Sequence, residues 1–454
     1  MGFATSVAMW AVGYLGRLPA VRLPSPLVLA LLLLCVLGGG LVLGRYSAGG
    51  WRAGALAGAI SGVLNLLVLG GLLTGVRPNT VVPSAWLWLP GSVLAAALLG
   101  GAGAAAGGLH PAPGAATRRW SGALAQVAVA AALLLLGVGG LVTSTGAGLA
   151  VVDWPNTFGY NLFLYPLSRM TGGVYYEHAH RLFGALVGLT SLVLAVQLQL
   201  TERRRGVRAF AWAIFALVVV QGVLGGLRVT GRFTLSAEAD AMRPSLLLAL
   251  VHGVLGQLLF AALVALAVVT SRAWREATPR TMRTASGADS LLGASLLVAL
   301  LVQLVLGATR RHLALLLFAH IVVGVAVVAP LALHVGLRAW GRRRDLPLVQ
   351  RLGLALVGSV AFQLVLGLGA FVATAGGEAA DSAGAVLVAT VHQWFGAVVL
   401  AVAVMLACWG VRGGAGTREG ARTGRAGPEP AGLAPALDAS VAPSRTAAAR
   451  GGRR

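Results

Sequence analysis

The stretch YYEHAHRLFGALVGLTSLVLAVQLQL, residues 175–200, decides the fold class. It opens with ionisable side chains and continues as an apolar run long enough to cross a hydrocarbon core of about 30 Å. Similar runs recur along the chain of 454 residues, of which 57% are hydrophobic and only 11% charged. We therefore predict an all-α polytopic membrane protein. Because ionisable groups at membrane depth are costly, the cluster of Glu177, His178, His180 and Arg181 also marks a candidate functional site.

The apolar runs predict about eleven membrane helices in two groups. Residues 1–110 form an N-terminal extension with three of them, at 27–44, 53–75 and 86–107. Residues 111–121 form a linker with Pro, Gly and paired Arg. The remaining eight are expected at 122–144, 174–200, 209–229, 244–270, 291–309, 313–337, 352–374 and 386–411. A linker at 271–290 divides these eight into two halves, 122–270 and 291–411, and the tail 412–454 is expected to be disordered because it lacks a periodic apolar face.

The net charge of +22 does not indicate a nucleic-acid partner. All 35 basic residues are arginine, and they cluster in short segments between apolar runs, as the positive-inside rule describes. The basic connections 201–208, 271–283 and 338–345 and the C-terminus are therefore predicted to be cytoplasmic, and eleven helices then put the N-terminus outside. We expect an integral protein of a bacterial plasma membrane, in contact with lipid.

The eight-helix part contains an internal repeat. VQGVLGGLRVT (220–230), VQLVLGATRRH (302–312) and FQLVLGLGAFVAT (362–374) share Q-x-V-L-G near one end of a helix. LLLLGVGGLVTST (133–145) is a weaker copy, with Leu133 in the glutamine position. The repeat predicts a core of two pseudo-symmetric four-helix bundles, each made of two helical hairpins.

One histidine follows each copy of the repeat, at matched depth near the predicted outer face. These are His180, His252, His320 and His392, and each is followed by a glycine, at Gly184, Gly253, Gly324 and Gly396. Neutral imidazole is a good iron ligand, and glycine lets a flat ring approach the backbone. A lone membrane histidine is more often a packing residue or a proton carrier, but four that follow a repeat favour ligands. We predict two bis-histidine hemes, on His180 with His252 and on His320 with His392.

Three further residues near these histidines are candidates for the site. Glu177 lies one helical turn from His180 on the same face, where a carboxylate could move protons or stabilise positive charge on a substrate. A first-turn glutamate favoured by the helix macrodipole is an equally weighted alternative. Arg181 and the segment TRRH, with Arg311, are candidates for contacts with heme propionates or for interfacial anchors.

The segment TGAGLAVVDWP (145–155), followed by EHAHR (177–181), resembles the heme A synthase family of cytochrome oxidase assembly factors. That family shows T-G-S-G-L, then D-W-P, then E-x-x-H-R, and its other three histidines match those of the repeat here. The resemblance covers roughly 122–411. The chain departs from the pattern at Ala147, in lacking cysteine pairs in its outer loops, and in its three leading helices.

The resemblance implies an enzyme that oxidises the C8 methyl of heme O, through an alcohol, to the formyl group of heme A. By this resemblance the first half holds the substrate heme O and the second half holds heme b, and Glu177 is the essential acid. The implied partners are a heme O-producing farnesyltransferase, the cytochrome oxidase assembly and an unidentified electron donor. A diheme b-type electron carrier, a heme chaperone without heme modification, and a transporter with a histidine proton relay remain open alternatives.

Overall fold

The structure is a computed structural model that describes residues 1–115, 122–230, 239–277, 287–342, 346–374 and 382–423. Within these ranges the chain is helical, and eleven helices are long and apolar enough to cross a membrane, as predicted. The helices are α1 (Gly2–Arg17), α2 (Ser25–Tyr46), α3 (Gly50–Leu69), α4 (Ala85–Gly108), α5 (Ala123–Ser144), α6 (Gly172–Thr201), α7 (Arg205–Thr230), α8 (Ala239–Thr270), α9 (Arg272–Glu276), α10 (Gly287–Leu313), α11 (Leu317–Val323), α12 (Ala329–Arg342), α13 (Pro347–Thr374) and α14 (Ala383–Thr423).

The eight-helix core consists of antiparallel hairpins, and α14 joins its two halves. One hydrophobic core lies among α5, α6, α7 and α8, and a second lies among α10, α12, α13 and α14. Helix α14 also packs against α5 and α8 of the first half. At this contact Trp394 Nε1 donates a hydrogen bond to the Leu133 carbonyl at 2.8 Å, and Thr390 Oγ1 donates to Ser144 Oγ at 2.8 Å.

The helix that carries His320 changes form within the membrane span. α11 ends at Val323, a π-helical segment follows at Gly324–Val328, and α12 continues from Ala329. Pro330 lies just after this segment and has no backbone N–H to donate, which disturbs the regular α-helical pattern. Single π turns of this kind are often found at functional sites.

The second membrane helix is shorter than predicted. α3 ends at Leu69 rather than at residue 75, and residues 70–84 form a connection. Gly70 and Gly71 end the helix where the backbone of another loop approaches. A β-carbon at Gly71 would lie 2.6 Å from the Tyr165 carbonyl oxygen, so only glycine allows this approach.

Helix α1 was not predicted, because its 16 residues include buried polar side chains. It lies beside α3, where Ser6 Oγ is 3.0 Å from Ser61 Oγ. It also reaches α6: the ring of Tyr14 stacks on Tyr175 at 5.4 Å, and Tyr175 Oη donates to the Tyr14 carbonyl at 2.6 Å. The α1–α2 turn therefore lies at the end of the bundle where α6 begins, which we call the histidine end.

The C-terminal helix is longer than predicted. α14 continues to Thr423, beyond the predicted end at residue 411. The disorder expected of the tail stays a prediction. An existing helix extends much more easily than a new one nucleates, and the membrane span provides that start. Parts of three predicted segments lie outside the described residues: 116–121 of the first linker, 278–286 of the second linker and 424–454 of the tail.

The end of the bundle away from the histidines is held by ion pairs. Glu202, which follows α6, accepts hydrogen bonds from Arg204, with Nη2 at 2.8 Å, and lies 3.6 Å from Arg275 Nη2. The bonds from Arg204 lower the pKa of Glu202 to about 2. In the second half Arg338 Nε donates to Asp289 Oδ1 at 2.6 Å. These pairs join neighbouring helices at the predicted cytoplasmic end.

Candidate functional site

The four repeat-matched histidines form the two predicted pairs. The ring centroids of His180 and His252 lie 6.2 Å apart, with the ring planes at 79°. Those of His320 and His392 lie 6.3 Å apart, with the planes at 88°. The two halves therefore present nearly the same imidazole geometry.

This spacing fits two axial ligands on one metal ion. An imidazole nitrogen binds a transition metal at about 2.0–2.1 Å, and the ring centre lies roughly 1.2 Å behind that nitrogen, so coaxial ligands have centroids about 6.4 Å apart. Both pairs come close to that value. A donor set of two imidazoles would suit the iron of a heme, so each pair could hold one such group.

Each histidine ring rests against a glycine of the preceding helix in its hairpin. A β-carbon on that glycine would lie only 2.9–3.5 Å from the ring carbon Cε1, so the bare backbone fixes how closely the ring can approach. The glycine and histidine partners are Gly139 with His180, Gly225 with His252, Gly307 with His320, and Gly367 with His392.

These contacts correct the alignment of the weakest repeat. Gly139, not Gly137, is equivalent to Gly225 in packing against the ring, while Gly137 faces Trp394. The glutamine position, four residues before the glycine, is therefore held by Leu135 and not by Leu133. Sequence similarity alone favoured the wrong register, because four consecutive leucines offer no landmark.

A second glycine lies four residues after each histidine. After the last three histidines it faces the amide of the repeat glutamine, at 2.8–3.4 Å from a β-carbon position to Nε2. The pairs are Gly256 with Gln221, Gly324 with Gln303, and Gly396 with Gln363. Gly253, which the sequence suggested as the matched glycine after His252, is not equivalent and faces His312 instead.

Glu177 and Arg181 form a buried ion pair on α6. Arg181 Nε donates to Glu177 Oε1 at 3.2 Å, and each side chain is only 9% exposed. The rest of the guanidinium binds backbone carbonyls of the loop before α6: Nη2 donates to Val151 at 2.7 Å, and Nη1 to Asp153 at 2.6 Å and Asn156 at 2.8 Å. Arg181, predicted as a propionate contact, has most of its donors used by this loop.

The D-W-P motif builds the loop that Arg181 holds. The Asp153 carboxylate accepts hydrogen bonds from the backbone N–H groups of Phe158 and Gly159, both at 2.8 Å. Trp154 lies against the backbone of Gly226 on α7. The two motifs that the sequence showed separately, D-W-P and EHAHR, thus form one unit across the histidine end of α6 and α7.

His178 belongs to this loop and not to a histidine pair. It is 1% exposed, its Nδ1 lies 3.1 Å from Thr157 Oγ1, and its ring packs on Tyr165 at 4.9 Å. The prediction that it faces another side of the helix from His180 is confirmed.

Arg228 lies at the first pair and was missed by the sequence analysis. It is close enough to interact electrostatically with Glu177, His180 and His252. Its Nε is buried and has no hydrogen-bond partner among the described residues. A usable signal was present, since Arg228 stands seven residues after Gln221 just as Arg310 stands seven after Gln303.

The segment with Arg311 reaches the first half as well. His312, next to it on α10, interacts electrostatically with Arg228, Arg311 and His252. The positive side chains of both halves therefore meet at the histidine end, beside the first pair. Such a cluster suits an anionic group, because arginine binds carboxylates through charge-assisted hydrogen bonds.

The acid is present at only one of the four equivalent positions. Three residues before each histidine the chain has Glu177, Ala249, Leu317 and Ala389. The first pair thus has a buried carboxylate beside it on α6, whereas both positions of the second pair are apolar. The two sites match in their imidazoles and differ in their surroundings.

The N-terminal extension holds the loop above the first pair. The Asn161 N–H donates to Asn79 Oδ1 at 2.6 Å, and Asn79 Nδ2 donates to the Gly159 carbonyl at 3.2 Å. Thr74 Oγ1 donates to the Leu164 carbonyl at 2.6 Å. The loop is therefore fixed from both sides, by Arg181 on α6 and by the α3–α4 connection.

The fold and the site define a polytopic α-helical membrane protein with two matched histidine pairs at one end of its bundle. Residues 122–319, less than half of the chain, match the family described as cytochrome oxidase assembly protein (COX15-CtaA). The match contains Glu177, His180 and His252 and ends one residue before His320. No curated protein matches the chain.

Proposed function

We propose that this protein is a heme A synthase, which oxidises the C8 methyl of heme O to the formyl group of heme A. The family match supports a role in cytochrome oxidase assembly. The observation that carries the finer proposal is the asymmetry of two otherwise matched imidazole pairs. Only the first has a buried carboxylate one turn from a ligand.

In this proposal the first pair, His180 and His252, holds the heme O substrate, and the second pair, His320 and His392, holds a resident heme b. A bound heme b supplies reversible one-electron chemistry at its iron. Conversion of a methyl to a formyl group removes four electrons from the carbon and adds one oxygen atom. Two successive hydroxylations would balance with two molecules of dioxygen as the oxidant and four electrons from the proposed electron donor, and would release three molecules of water. Contact of α14 with α5 supports passage between the halves, since α14 carries His392 and Gly139 of α5 touches His180.

Glu177 is the proposed catalytic group. Glu177 as a whole residue is 6% exposed, and Arg181 holds its carboxylate. The carboxylate therefore stays at a fixed position on the face of α6 that carries His180. There it can accept a proton from the substrate side or stabilise positive charge that develops on it. Arg181 acts as a positioning residue, because it holds the carboxylate and the covering loop together.

Binding of the heme propionates is assigned to the arginines at the histidine end. Arg228 and Arg311 lie beside His312 there, and the unpartnered Nε of Arg228 can donate to a carboxylate. Arg181 remains a candidate propionate ligand only through the N–H groups that its bonds to Glu177 and to the loop leave free. In this proposal the histidine end faces outward from a bacterial plasma membrane, the arginine-rich connections face the cytoplasm, and a farnesyltransferase supplies heme O.

The test is pigment analysis of the full-length protein purified from cells that supply heme O. A pyridine hemochrome spectrum and the masses of extracted hemes should show heme A or its alcohol precursor together with retained heme B. Glu177→Gln should keep both hemes and abolish the formyl product, while Glu276→Gln, at the opposite end, should not.

Each other outcome points elsewhere. Two molecules of heme B and no modified heme, despite heme O supply, would indicate a diheme electron carrier. Intact folded protein without heme would overturn the ligand assignment of the four histidines. Formyl product from Glu177→Gln at the wild-type level would overturn the catalytic role of Glu177 alone.

A further inference from the structure

Five polar atoms around the histidine pairs are buried without a hydrogen-bond partner among the described residues. They are the amide oxygens of Gln221, Gln303 and Gln363 and the ring nitrogens Nδ1 of His180 and His252. A buried polar atom left unpaired costs about 1–3 kcal/mol. Five of them at one kind of site show that hydrogen bonding around the histidine pairs is incomplete among the described residues.

The three glutamines make the same contact with the histidine of their hairpin. In each case the amide nitrogen Nε2 donates to the backbone carbonyl of the histidine at 3.0 Å. In the second half this nitrogen also lies near the ring: Gln303 Nε2 is 3.1 Å from His320 Nδ1, and Gln363 Nε2 is 3.2 Å from His392 Nδ1. The amide is therefore placed to control the proton on Nδ1.

In the second half the glutamine Nε2 can only donate, so Nδ1 of His320 and of His392 accepts a hydrogen bond. The neutral ring then carries its proton on its own Nε2. A metal binds Nε2 only when the proton is on Nδ1, and the bond that Nδ1 makes selects that form. The group that can accept from Nδ1–H is the unpartnered Oε1 of the same amide. A turn of the amide about its last side-chain bond presents this oxygen to Nδ1–H in place of the nitrogen and sets the ring to bind iron. The turn costs the bond from Nε2 to the histidine carbonyl.

His180 differs from the other three because, among the described residues, no glutamine amide forms a hydrogen bond with it. The equivalent position on α5 is Leu135, four residues before Gly139. The glycine one turn after the histidine shows the same difference: Gly184 has open space around it, whereas its three counterparts face a glutamine amide. His180 Nδ1 is buried with no partner among the described residues. His252 Nδ1 is unpartnered as well, but the Gln221 amide is bonded to the backbone carbonyl of His252.

We propose that the glutamines fix three of the imidazoles as iron ligands, and that His180 is the ligand from which iron dissociates most readily. This inference rests on the proposed function. It explains how two halves with nearly equal imidazole spacing can have different roles. A substrate heme must enter and leave, whereas a resident heme stays. Loss of the group that accepts a hydrogen bond from a metal-bound imidazole typically lowers metal affinity by about 10- to 100-fold.

The test is heme transfer from the purified full-length protein, loaded with hemin, to an excess of apomyoglobin, followed optically. The wild type should release heme in two phases, and His320→Ala should remove the slow one. Leu135→Gln, which supplies the missing amide, should slow the fast phase about 10- to 100-fold. Gln363→Met, which keeps the length of the side chain and removes the amide, should accelerate the slow phase by a similar factor.

Leu133→Gln is the matched control. It adds the same amide two residues away, on the side of α5 where Trp394 bonds the Leu133 carbonyl, and should leave the fast phase unchanged. Gln363→Met should also raise the midpoint potential of the second heme, because loss of the Nδ1–H bond makes the ligand less basic. A purely structural role for the glutamine would not shift the potential in this direction.

The outcomes separate this inference from the proposed function. Absence of any heme in the wild type would overturn both. Two bound hemes whose release rates are unaffected by Leu135→Gln and Gln363→Met would overturn this inference alone, as would equal slowing by Leu133→Gln. Where Leu135→Gln prevents loading, Gln221→Met decides in its place, since loss of that amide should accelerate the fast phase.

Discussion

Arg181 donates to the carboxylate of Glu177 at 3.2 Å and at the same time binds three backbone carbonyls of the loop that the D-W-P motif forms. One guanidinium therefore fixes both the proposed catalytic acid and the loop beside it. Lysine cannot do this, because a single ammonium group lacks the planar array of five donors.

Arg181→Lys should lower heme A formation at least about tenfold and expose residues 151–160 to protease, since each charge-assisted hydrogen bond is worth about 1.5–3 kcal/mol. Formyl product and loop cleavage are measured in the same preparation. Arg203→Lys, on the exposed connection at the opposite end, is the control. Unchanged cleavage together with full activity would contradict the positioning role.

Gly367→Ala should reduce binding of heme in the second half. A β-carbon there would lie 3.1 Å from Cε1 of His392 and would push the ring away from its partner. Gly358→Ala, on the same helix, meets nothing within 4 Å and should be slightly stabilising, by up to about 1 kcal/mol, since alanine favours helix over glycine. Heme content per protein, measured by hemochrome, separates them; equal content in both variants would argue against the ring contact.

Asn79→Ala should loosen the outer loop from the N-terminal extension. It removes two hydrogen bonds, to Asn161 and to Gly159, each worth about 0.5–1.5 kcal/mol. We expect faster cleavage of the loop and a lower rate of heme A formation with both hemes retained. Asn79→Asp keeps the acceptor oxygen, so its rates of loop cleavage and of heme A formation should lie between those of the wild type and of Asn79→Ala. An alanine variant with wild-type cleavage would show that the extension does not hold the loop.

Glu202→Gln should destabilise the protein at neutral pH and lose this effect in acid. Hydrogen bonds from Arg204 lower the pKa of Glu202 from an ordinary value near 4.5 to about 2. Its stabilising effect is therefore complete above about pH 4.5 and is lost as the pH falls toward 2. Because Arg204 is largely exposed, the gain is small, about 0.2–1 kcal/mol. Thermal unfolding at pH 7 and at pH 3 should show the difference between variant and wild type shrinking; a constant difference would contradict the ion pair.

The fold could be predicted from the sequence to a large extent. Runs of about 20 apolar residues define membrane helices without reference to the rest of the molecule, because the bilayer sets their length. The repeat likewise defined the pairing of His180 with His252 and of His320 with His392, since equivalent residues in a duplicated hairpin lie at equivalent depth. The prediction of helices was wrong only in local detail. α1 was missed, and α3 ends earlier than predicted, where another loop touches Gly70 and Gly71.

The site could be predicted only in part. The sequence itself determined the membrane class and the matched positions of the four histidines, which follow from hydropathy and from the repeat. It also placed Glu177 one turn from His180, but the role of Glu177 as the acid rested on the family resemblance and stays a proposal. Only the tertiary structure decided that Arg181 binds the D-W-P loop, that Arg228 joins the first pair and that Leu135 takes the place of a glutamine. These depend on contacts between distant segments and on the register of one helix against another, which no periodicity within a single helix records.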